Sequence, residues 1–155
     1  MTLSYHPIPT DHARHLQQGG ADANNQPAEH DISDGNGNPC RHCLKNIPQG
    51  AKMLICAYRP FPAAQPYAEI GPIFLCADEC TSYDAQNAPD VLKTSATYLI
   101  RGYTADNRIA YGTGKITAMA DLATASAKIL NANGIAYVHV RSASNNCFQC
   151  KITLE

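Results

Sequence analysis

The pattern of apolar and polar positions predicts a chain built mostly from short β-strands. Runs of β-branched, aromatic and other apolar residues are bounded by Gly, Pro, Asn and Asp, as strands usually are. These runs cover residues 3–9, 52–58, 72–76, 97–103, 108–116, 135–141 and 147–154. Because residues 104–107 form a turn sequence, we expect the strands on either side of it to pair as a hairpin.

Helical patterns are fewer than strand patterns. Residues 10–18 predict a short helix with a polar N-cap, and residues 117–132 predict a longer one that places Leu122 and Ile129 on the same face. Residues 77–85 predict a third, because acidic residues stand in its first turn, where the helix dipole favours them. Residues 19–39 are polar and rich in Gly, Asn and Asp, which predicts a long surface loop.

The predicted elements indicate an α+β fold with a mainly antiparallel sheet and two or three helices. Strands outnumber helices, and short turns join most neighbouring elements. The 155 residues suit a single domain, and no repeat or linker divides the chain. Residues 1–38 are expected to supply an N-terminal strand, the first short helix and the polar loop.

The charges are distributed unevenly, although the net charge is only −1. Residues 35–68 contain no acid, and their bases are Arg41, Lys45, Lys52 and Arg59. We interpret this basic segment as a solvated face or a surface on which the acidic N-terminal segment docks. Nucleic-acid binders are usually basic across the whole domain, so nucleic acid is not the favoured partner. No apolar stretch approaches the roughly 20 residues that span a bilayer.

The seven cysteines cannot all pair in disulfides, because their number is odd. The first residues lack the basic region and apolar run of a signal peptide. We therefore expect a cytoplasmic protein, in which thiols stay reduced. Closely spaced cysteines in that compartment more often bind metal or carry out redox chemistry.

Two cysteine pairs, Cys40/Cys43 and Cys76/Cys80, have the close spacing of metal ligands. Zinc prefers four soft ligands at the corners of a tetrahedron, and a C-x2-C pair supplies two of them from one tight turn. We predict a zinc site at these cysteines, with a zinc-finger-like knuckle at the first pair. His42 could compete as a ligand. The intervening residues 44–75 form a longer spacer than common zinc patterns have.

Other roles for these thiols stay open. Arg41 and His42 would lower the pKa of Cys40, so Cys40 and Cys43 could instead be a nucleophilic or redox-active pair. Cysteine is also among the most buried residue types, so ordinary buried thiols are a further interpretation. Cys56, in the middle of an apolar strand, fits that description.

The C-x2-C pair formed by Cys147 and Cys150 is a weaker candidate. On a regular strand, positions i and i+3 face opposite sides of the sheet. The two thiols can approach one metal only if the preceding asparagines place them in a knuckle.

A second candidate site consists of Arg101, Tyr103, His139 and Arg141. Each pair is spaced i, i+2 on a predicted strand, so its side chains share one face. If both faces belong to one sheet, the four side chains converge and could bind an anion, because guanidinium groups bind carboxylate or phosphate through two hydrogen bonds. The alternative is that each arginine pairs with a nearby acid on a solvated face.

Six short motifs follow one another along the chain. They are Pro39–Leu44, Tyr58–Phe61, Pro66–Tyr67, Gly71–Phe74, Arg101–Tyr103 and Tyr137–Arg141. Together they resemble an uncharacterised bacterial family called domain of unknown function 1203. The resemblance covers about residues 39–155, with the motifs in the family's order, and it implies no established activity. It implies that His often replaces Cys76, which would keep a zinc-competent ligand, and that an aromatic residue often replaces Cys150, which disfavours a second metal site.

These observations lead to one principal hypothesis and two alternatives. The principal hypothesis is a small cytoplasmic binding module for an anionic ligand or a protein partner, with a structural zinc site. The first alternative is a thiol-dependent enzyme or redox protein that uses Cys40 or Cys43. The second is a nucleic-acid-binding zinc module that uses the basic segment.

Overall fold

The computed structural model describes residues 1–155 and confirms the α+β class. Its α-helices are α1 (Thr10–Gln17) and α2 (Leu122–Leu130). Its strands are β1 (Leu3–His6), β2 (Glu29–Ile32), β3 (Lys52–Tyr58), β4 (Gly71–Cys76), β5 (Thr97–Tyr103), β6 (Lys115–Ala118), β7 (Tyr137–Ser142) and β8 (Phe148–Leu154). Short 3-10 turns cover Asp90–Lys93 and Met119–Asp121. No helix combines the length and apolar character needed to cross a membrane.

The strands form two antiparallel sheets. The larger has five strands in the order β1-β8-β7-β5-β6, and the smaller has three in the order β2-β3-β4. Because side chains alternate along a strand, one face of the larger sheet is apolar. It includes Tyr5, Val138, Val140 and Ile152, which form one core together with Leu122 of α2.

The opposite face of the larger sheet carries polar side chains in register. His6 lies opposite Lys151, Lys151 opposite His139, and His139 opposite Arg101. Directly opposed residues have Cβ atoms about 4.5–5.5 Å apart. These four residues, here called the polar row, therefore run across four neighbouring strands on a single face.

A second core joins α1 to the smaller sheet. Ala13 and Leu16 of α1 are fully buried in it, together with Leu54 of β3 and Leu75 of β4. Phe148 of β8 belongs to the same cluster, so this core also reaches the larger sheet. The N-terminal helix is thereby held between the smaller sheet and the cysteine-containing segments.

The helix predicted for residues 77–85 is wrong, because this segment follows an irregular path. Its backbone groups bond to neighbouring segments instead of to each other. Ala77 N–H donates to Lys52 O at 3.1 Å, and Tyr83 N–H donates to His42 O at 3.0 Å. The segment has few apolar residues, so a helix here would have had little apolar surface to bury.

Other boundaries also differ from the predicted ones. β2 lies within the predicted loop 19–39. Neither of its faces is buried, so its sequence does not show the alternating apolar pattern that predicts a strand. The turn at 104–107 is present, with Asn107 N–H donating to Thr104 O at 3.0 Å, and the strands on either side pair antiparallel as predicted. Close to the turn they meet only at an isolated bridge between Tyr103 and Ile109, and regular pairing of β5 with β6 begins at Ile100 and Lys115. Thr113 Oγ1 accepts the Gly102 N–H at 2.9 Å, so a side chain takes the place of a strand partner there.

The second helix is shorter than expected. Thr117 belongs to β6, where it is buried, and α2 begins only at Leu122. Thr117 is therefore a strand residue and not the N-cap of a helix, and the predicted apolar helical face is present only over residues 122–130.

Candidate metal centre

The four predicted cysteines converge into one cluster. The sulfur atoms of Cys40, Cys43, Cys76 and Cys80 all lie within 4.8 Å of one another. Cys40 Sγ and Cys80 Sγ are 3.8 Å apart. A regular tetrahedron with metal–sulfur bonds of about 2.3 Å has an edge of about 3.8 Å. The donor set therefore fits a tetrahedral ion bound by four sulfurs.

A tight turn after Cys40 forms the knuckle that presents the first pair. Leu44 N–H donates to Cys40 O at 3.0 Å, and Cys40 N–H donates to Lys45 O at 3.0 Å. Leu44 adopts a left-handed conformation with φ 54°, which costs on the order of 1–3 kcal/mol for a residue with a side chain. Its fully buried side chain packs in the core beside α2, and this burial offsets the strain.

The second pair is positioned by β4 and the irregular segment after it. Cys76 is the last residue of β4 and pairs with Met53 of β3. Arg41 N–H donates to Phe74 O at 3.1 Å, which attaches the knuckle to the same strand. The Cys76 N–H also donates to Cys40 Sγ at 3.4 Å. Backbone contacts therefore fix the two pairs relative to each other.

Helix α1 holds the chain between Cys76 and Cys80. Gln17 Nε2 donates to Cys76 O at 2.9 Å and to Asp78 O at 3.0 Å. Arg14 Nη2 donates to Cys80 O at 2.8 Å, and its Nη1 donates to Gln17 Oε1 at 2.8 Å. Positions 14 and 17 share one helical face, so this face of α1 supports the cluster from outside.

His42 lies beside the cluster and outside the converging set of sulfur atoms. Its Nδ1 is 3.2 Å from Cys80 Sγ, and its Nε2 is 2.9 Å from Thr10 Oγ1. Burial, and then the charge of Arg14, lower the pKa of His42. A neutral imidazole has one N–H. We assign it to Nδ1, which then donates to the sulfur while Nε2 accepts from Thr10.

The thiols of the cluster perturb each other strongly. Hydrogen bonds from Cys43, Cys76 and Cys80 hold the pKa of Cys40 far below its ordinary value. The contact with Cys40 in turn raises the pKa of Cys76 and of Cys80. The pKa of Cys43 is lowered, so the thiolate form is favoured at Cys40 and Cys43 while Cys76 and Cys80 keep their protons. A bound cation would favour the thiolate form of all four. Four thiols at these distances could hold a metal ion.

The predicted anion-binding residues also come together, and Glu69 lies between the two arginines. Arg101 Nη2 is 2.8 Å and Arg141 Nη2 is 3.0 Å from Glu69 Oε1. Arg101 also donates to the Tyr103 hydroxyl oxygen, from Nε at 3.0 Å and from Nη2 at 2.7 Å. The carboxylate of Glu69 therefore occupies the position between the guanidinium groups.

His139 is buried beside this ion pair. Arg141 Nη2 is 3.3 Å from His139 Nδ1. A guanidinium can only donate, so Nδ1 accepts and the proton of the neutral ring lies on Nε2. Burial lowers the pKa of His139 well below its ordinary value, and Arg141, Lys151 and Arg101 lower it further. His139 is consequently neutral at pH 7 and offers one N–H.

Sequence patterns did not reveal the role of Arg41. The sequence places it in the basic segment 35–68, but Arg41 is buried. It donates from Nε to Phe148 O at 2.7 Å and from Nη1 to Pro39 O at 2.6 Å. Burial lowers its pKa to about 10. No local pattern distinguishes this arginine from its exposed neighbours, because its acceptor on β8 is distant in sequence.

The other cysteines are not part of the cluster. Cys150 is fully buried in the core beside α2, and Cys56 is buried in the core beside α1. Burial raises the pKa of each to about 12. Cys147 is partly exposed at the start of the β8 segment. These environments fit unreactive core thiols at positions 56 and 150.

Comparison with known families gives one result. The model of a family described as "Protein of unknown function (DUF1203)" matches residues 37–153. The chain matches no curated protein and no solved structure. The matched residues include the whole cysteine cluster and His139, but not helix α1. Since the match covers most of the chain, the protein belongs to the DUF1203 family of proteins of unknown function.

Proposed function

We propose that the protein is a small binding domain whose fold is stabilised by a structural zinc ion bound to Cys40, Cys43, Cys76 and Cys80. The convergence of four sulfurs carries this proposal. Zinc is the metal that tetrahedral sites with four thiolates most commonly bind, and sites without an open position are structural. Bound metal would link the knuckle, β4 and the irregular segment 77–85.

The surroundings of the cluster support a structural role over a nucleophilic one. Cys40, whose pKa is lowered far below its ordinary value, is fully buried. The pKa of Cys43 is lowered as well, and its side chain is only partly buried. A nucleophilic cysteine needs access to its substrate, whereas a structural ligand needs none. The burial of Arg41 also removes one cation from the basic segment that a nucleic acid would contact.

The binding role rests on cationic groups around the polar row. Arg101 and Arg141 share a single carboxylate, and Arg141 Nε is buried without a hydrogen-bond partner. Glu69 is 41% exposed, so a small anion could displace it from between the arginines. A site at Arg101, Tyr103, His139 and Arg141 is therefore retained as a proposal.

Metal content and stability test the structural claim together. Untagged parent protein is expected to contain about one zinc per chain, because one four-ligand site binds one ion. Cys43→Ser should lose the metal and lower the melting temperature, since metal binding contributes to folding. Cys147→Ser, the matched control outside the cluster, should change neither. Metal-free parent protein that melts at the same temperature with and without zinc would refute the proposal.

A further inference from the structure

A large cleft lies against the polar face of the five-stranded sheet. Its volume is about 840 Å³, within the range of about 300–1,000 Å³ found for small-molecule sites. Three members of the polar row, His6, Lys151 and His139, line it. Residues 58–62, which follow β3, form a second wall, and α1 with the loop after it forms a third.

The cleft contains cations that lack an acidic partner. Arg59 has neither a hydrogen bond nor an ion pair, and its Nε is buried and unsatisfied. Lys151 Nζ lies 5.5 Å from the centre of the Tyr137 ring and forms no ion pair. The Nη atoms of Arg59 also form no hydrogen bond but are not buried. Because donors next to a partly buried site normally have acceptors, an anion in the cleft could supply acceptors for these Nη atoms.

The single acid that lines the cleft already accepts three backbone hydrogen bonds. Asp22 accepts backbone N–H groups from Asn24 at 2.9 Å, Gln26 at 3.1 Å and Ala57 at 2.9 Å. These bonds lie within the loop and at its junction with β3. Asp22 therefore has a structural role, and it does not neutralise Arg59 or Lys151 through an ion pair.

His139 adds an uncharged donor to the same cleft. Its Nδ1 accepts from Arg141, so its proton lies on Nε2, which has no protein partner. The ring is also packed against Phe61, Tyr103, Tyr137 and Phe148, with centroid distances from 4.6 to 5.1 Å. This packing and Arg141 together fix the orientation of the donor.

Aromatic side chains form part of the remaining surface of the cleft. Tyr58, Phe61, Tyr137 and Phe148 line it, and Tyr137 is stacked on Tyr103 with an interplanar angle of 8°. Aromatic faces favour flat apolar groups. The cleft therefore combines aromatic surface with several polar and cationic groups.

We propose that this cleft binds an aromatic oxyanion, with Arg59 and Lys151 contacting its carboxylate or phosphate, His139 Nε2 donating to the same group, and the aromatic walls enclosing its ring. This inference rests on the proposed role in binding a small anion. It places the ligand in the cleft and gives Arg141 a positioning role, in which it sets the tautomer of His139.

The test uses the full-length, metal-containing protein and three anionic probes: benzoate, phenyl phosphate and inorganic phosphate. Benzyl alcohol serves as the neutral aromatic control. Calorimetry should show binding of benzoate or phenyl phosphate, weaker binding of inorganic phosphate and none of benzyl alcohol. Arg59→Gln and Lys151→Gln should each weaken binding of the aromatic anion on the order of tenfold, as expected for loss of a charged hydrogen bond.

Lys128→Gln is the control that locates the site. It makes the same charge change as Lys151→Gln at an exposed position of α2, across the sheet from the cleft, and should leave affinity unchanged. Arg101→Gln, which disrupts the Glu69 ion pair, instead tests the rival position between the arginines, because loss of binding in this variant would place the anion there. His139→Gln keeps a side-chain N–H donor of similar reach, whereas His139→Phe removes the donor. If the Nε2 proton of His139 bonds to the anion, His139→Phe should weaken binding strongly and His139→Gln should not.

Each contrary result has a definite meaning. Equal affinity in the parent protein, Arg59→Gln and Lys151→Gln overturns the cleft assignment. Binding that is lost in Arg101→Gln but kept in Arg59→Gln places the anion between the arginines, which preserves the proposed function and refutes this inference. Absence of binding by all three anions at millimolar concentration refutes both. Benzyl alcohol binding as well as benzoate would refute recognition through charge.

Discussion

Gln17 provides a direct test of whether α1 supports the cysteine cluster. Replacing it with alanine removes the donor to Cys76 O, at 2.9 Å, and the donor to Asp78 O, at 3.0 Å. It also removes the acceptor that fixes Arg14 Nη1 at 2.8 Å. The substitution leaves every cysteine in place, so any loss of metal affinity must come from the loosened support around them.

The expected magnitude follows from these contacts. A hydrogen bond contributes about 0.5–1.5 kcal/mol to stability, so the two bonds to the carbonyl oxygens predict a loss of about 2 kcal/mol. In a domain of this size, 1 kcal/mol shifts the melting temperature by about 2–4 °C. Gln17→Ala should therefore melt about 4–8 °C below the parent protein.

The same change should weaken metal binding. Loss of groups that orient metal ligands typically lowers affinity about 10–100-fold. Gln17 acts on the backbone of the ligand loop and not on a ligand side chain, so the effect should lie near tenfold. Competition with a chromophoric chelator measures this affinity, and thermal unfolding in excess zinc measures stability.

Gln18→Ala is the matched control. Gln18 is exposed at the end of the same helix and forms no side-chain hydrogen bond. The control makes the same chemical change and should leave both measurements close to those of the parent. If Gln17→Ala behaves like Gln18→Ala in both assays, α1 does not support the metal centre and this reasoning is wrong.

Two further predictions concern thiols and the Glu69 ion pair. In zinc-containing protein, alkylation followed by mass spectrometry should modify Cys147 first. Cys56 and Cys150 should react slowly, because burial raises the pKa of each to about 12, and the four cluster cysteines should react only after the zinc is removed with a chelator. Rapid alkylation of Cys40 before chelation would favour the nucleophilic alternative. Glu69→Gln should lower the unfolding free energy by about 1–2 kcal/mol, because Arg141 keeps its charge in a buried position without a counter-ion. Added sulfate should restore part of that loss, and a variant that sulfate does not stabilise would contradict an exchangeable anion between the arginines.

The sequence predicted features that depend on local pattern. Apolar alternation located the central strands, including β3 and β7, because each has one face or both faces buried. The close cysteine pairs predicted a cluster, because a C-x2-C spacing already brings two sulfurs together. The i, i+2 spacing predicted that Arg101 and Arg141 share a face with Tyr103 and His139.

The features that escaped prediction depend on partners distant in sequence. Residues 77–85 have helix-compatible composition, but their backbone groups bond to Lys52 and His42. The polar residues of β2 form a strand only because β3 supplies its hydrogen-bonding edge. The sequence predicts a surface position for Arg41, but the residue is buried and donates to the carbonyl oxygen of Phe148 on the last strand. Glu69 lies between the two arginines in the structure, but no motif or spacing in the sequence connects it with Arg101 or Arg141.

The most direct test of the central claim is X-ray absorption spectroscopy at the zinc edge on untagged protein with its metal. The account predicts a single shell of four sulfurs at about 2.3 Å with no nitrogen or oxygen ligand. His42 would then remain outside the shell, donating to the sulfur of Cys80. A shell with fewer than four sulfurs, with an added nitrogen or oxygen, or the absence of zinc from stably folded protein, would contradict a structural site built by Cys40, Cys43, Cys76 and Cys80.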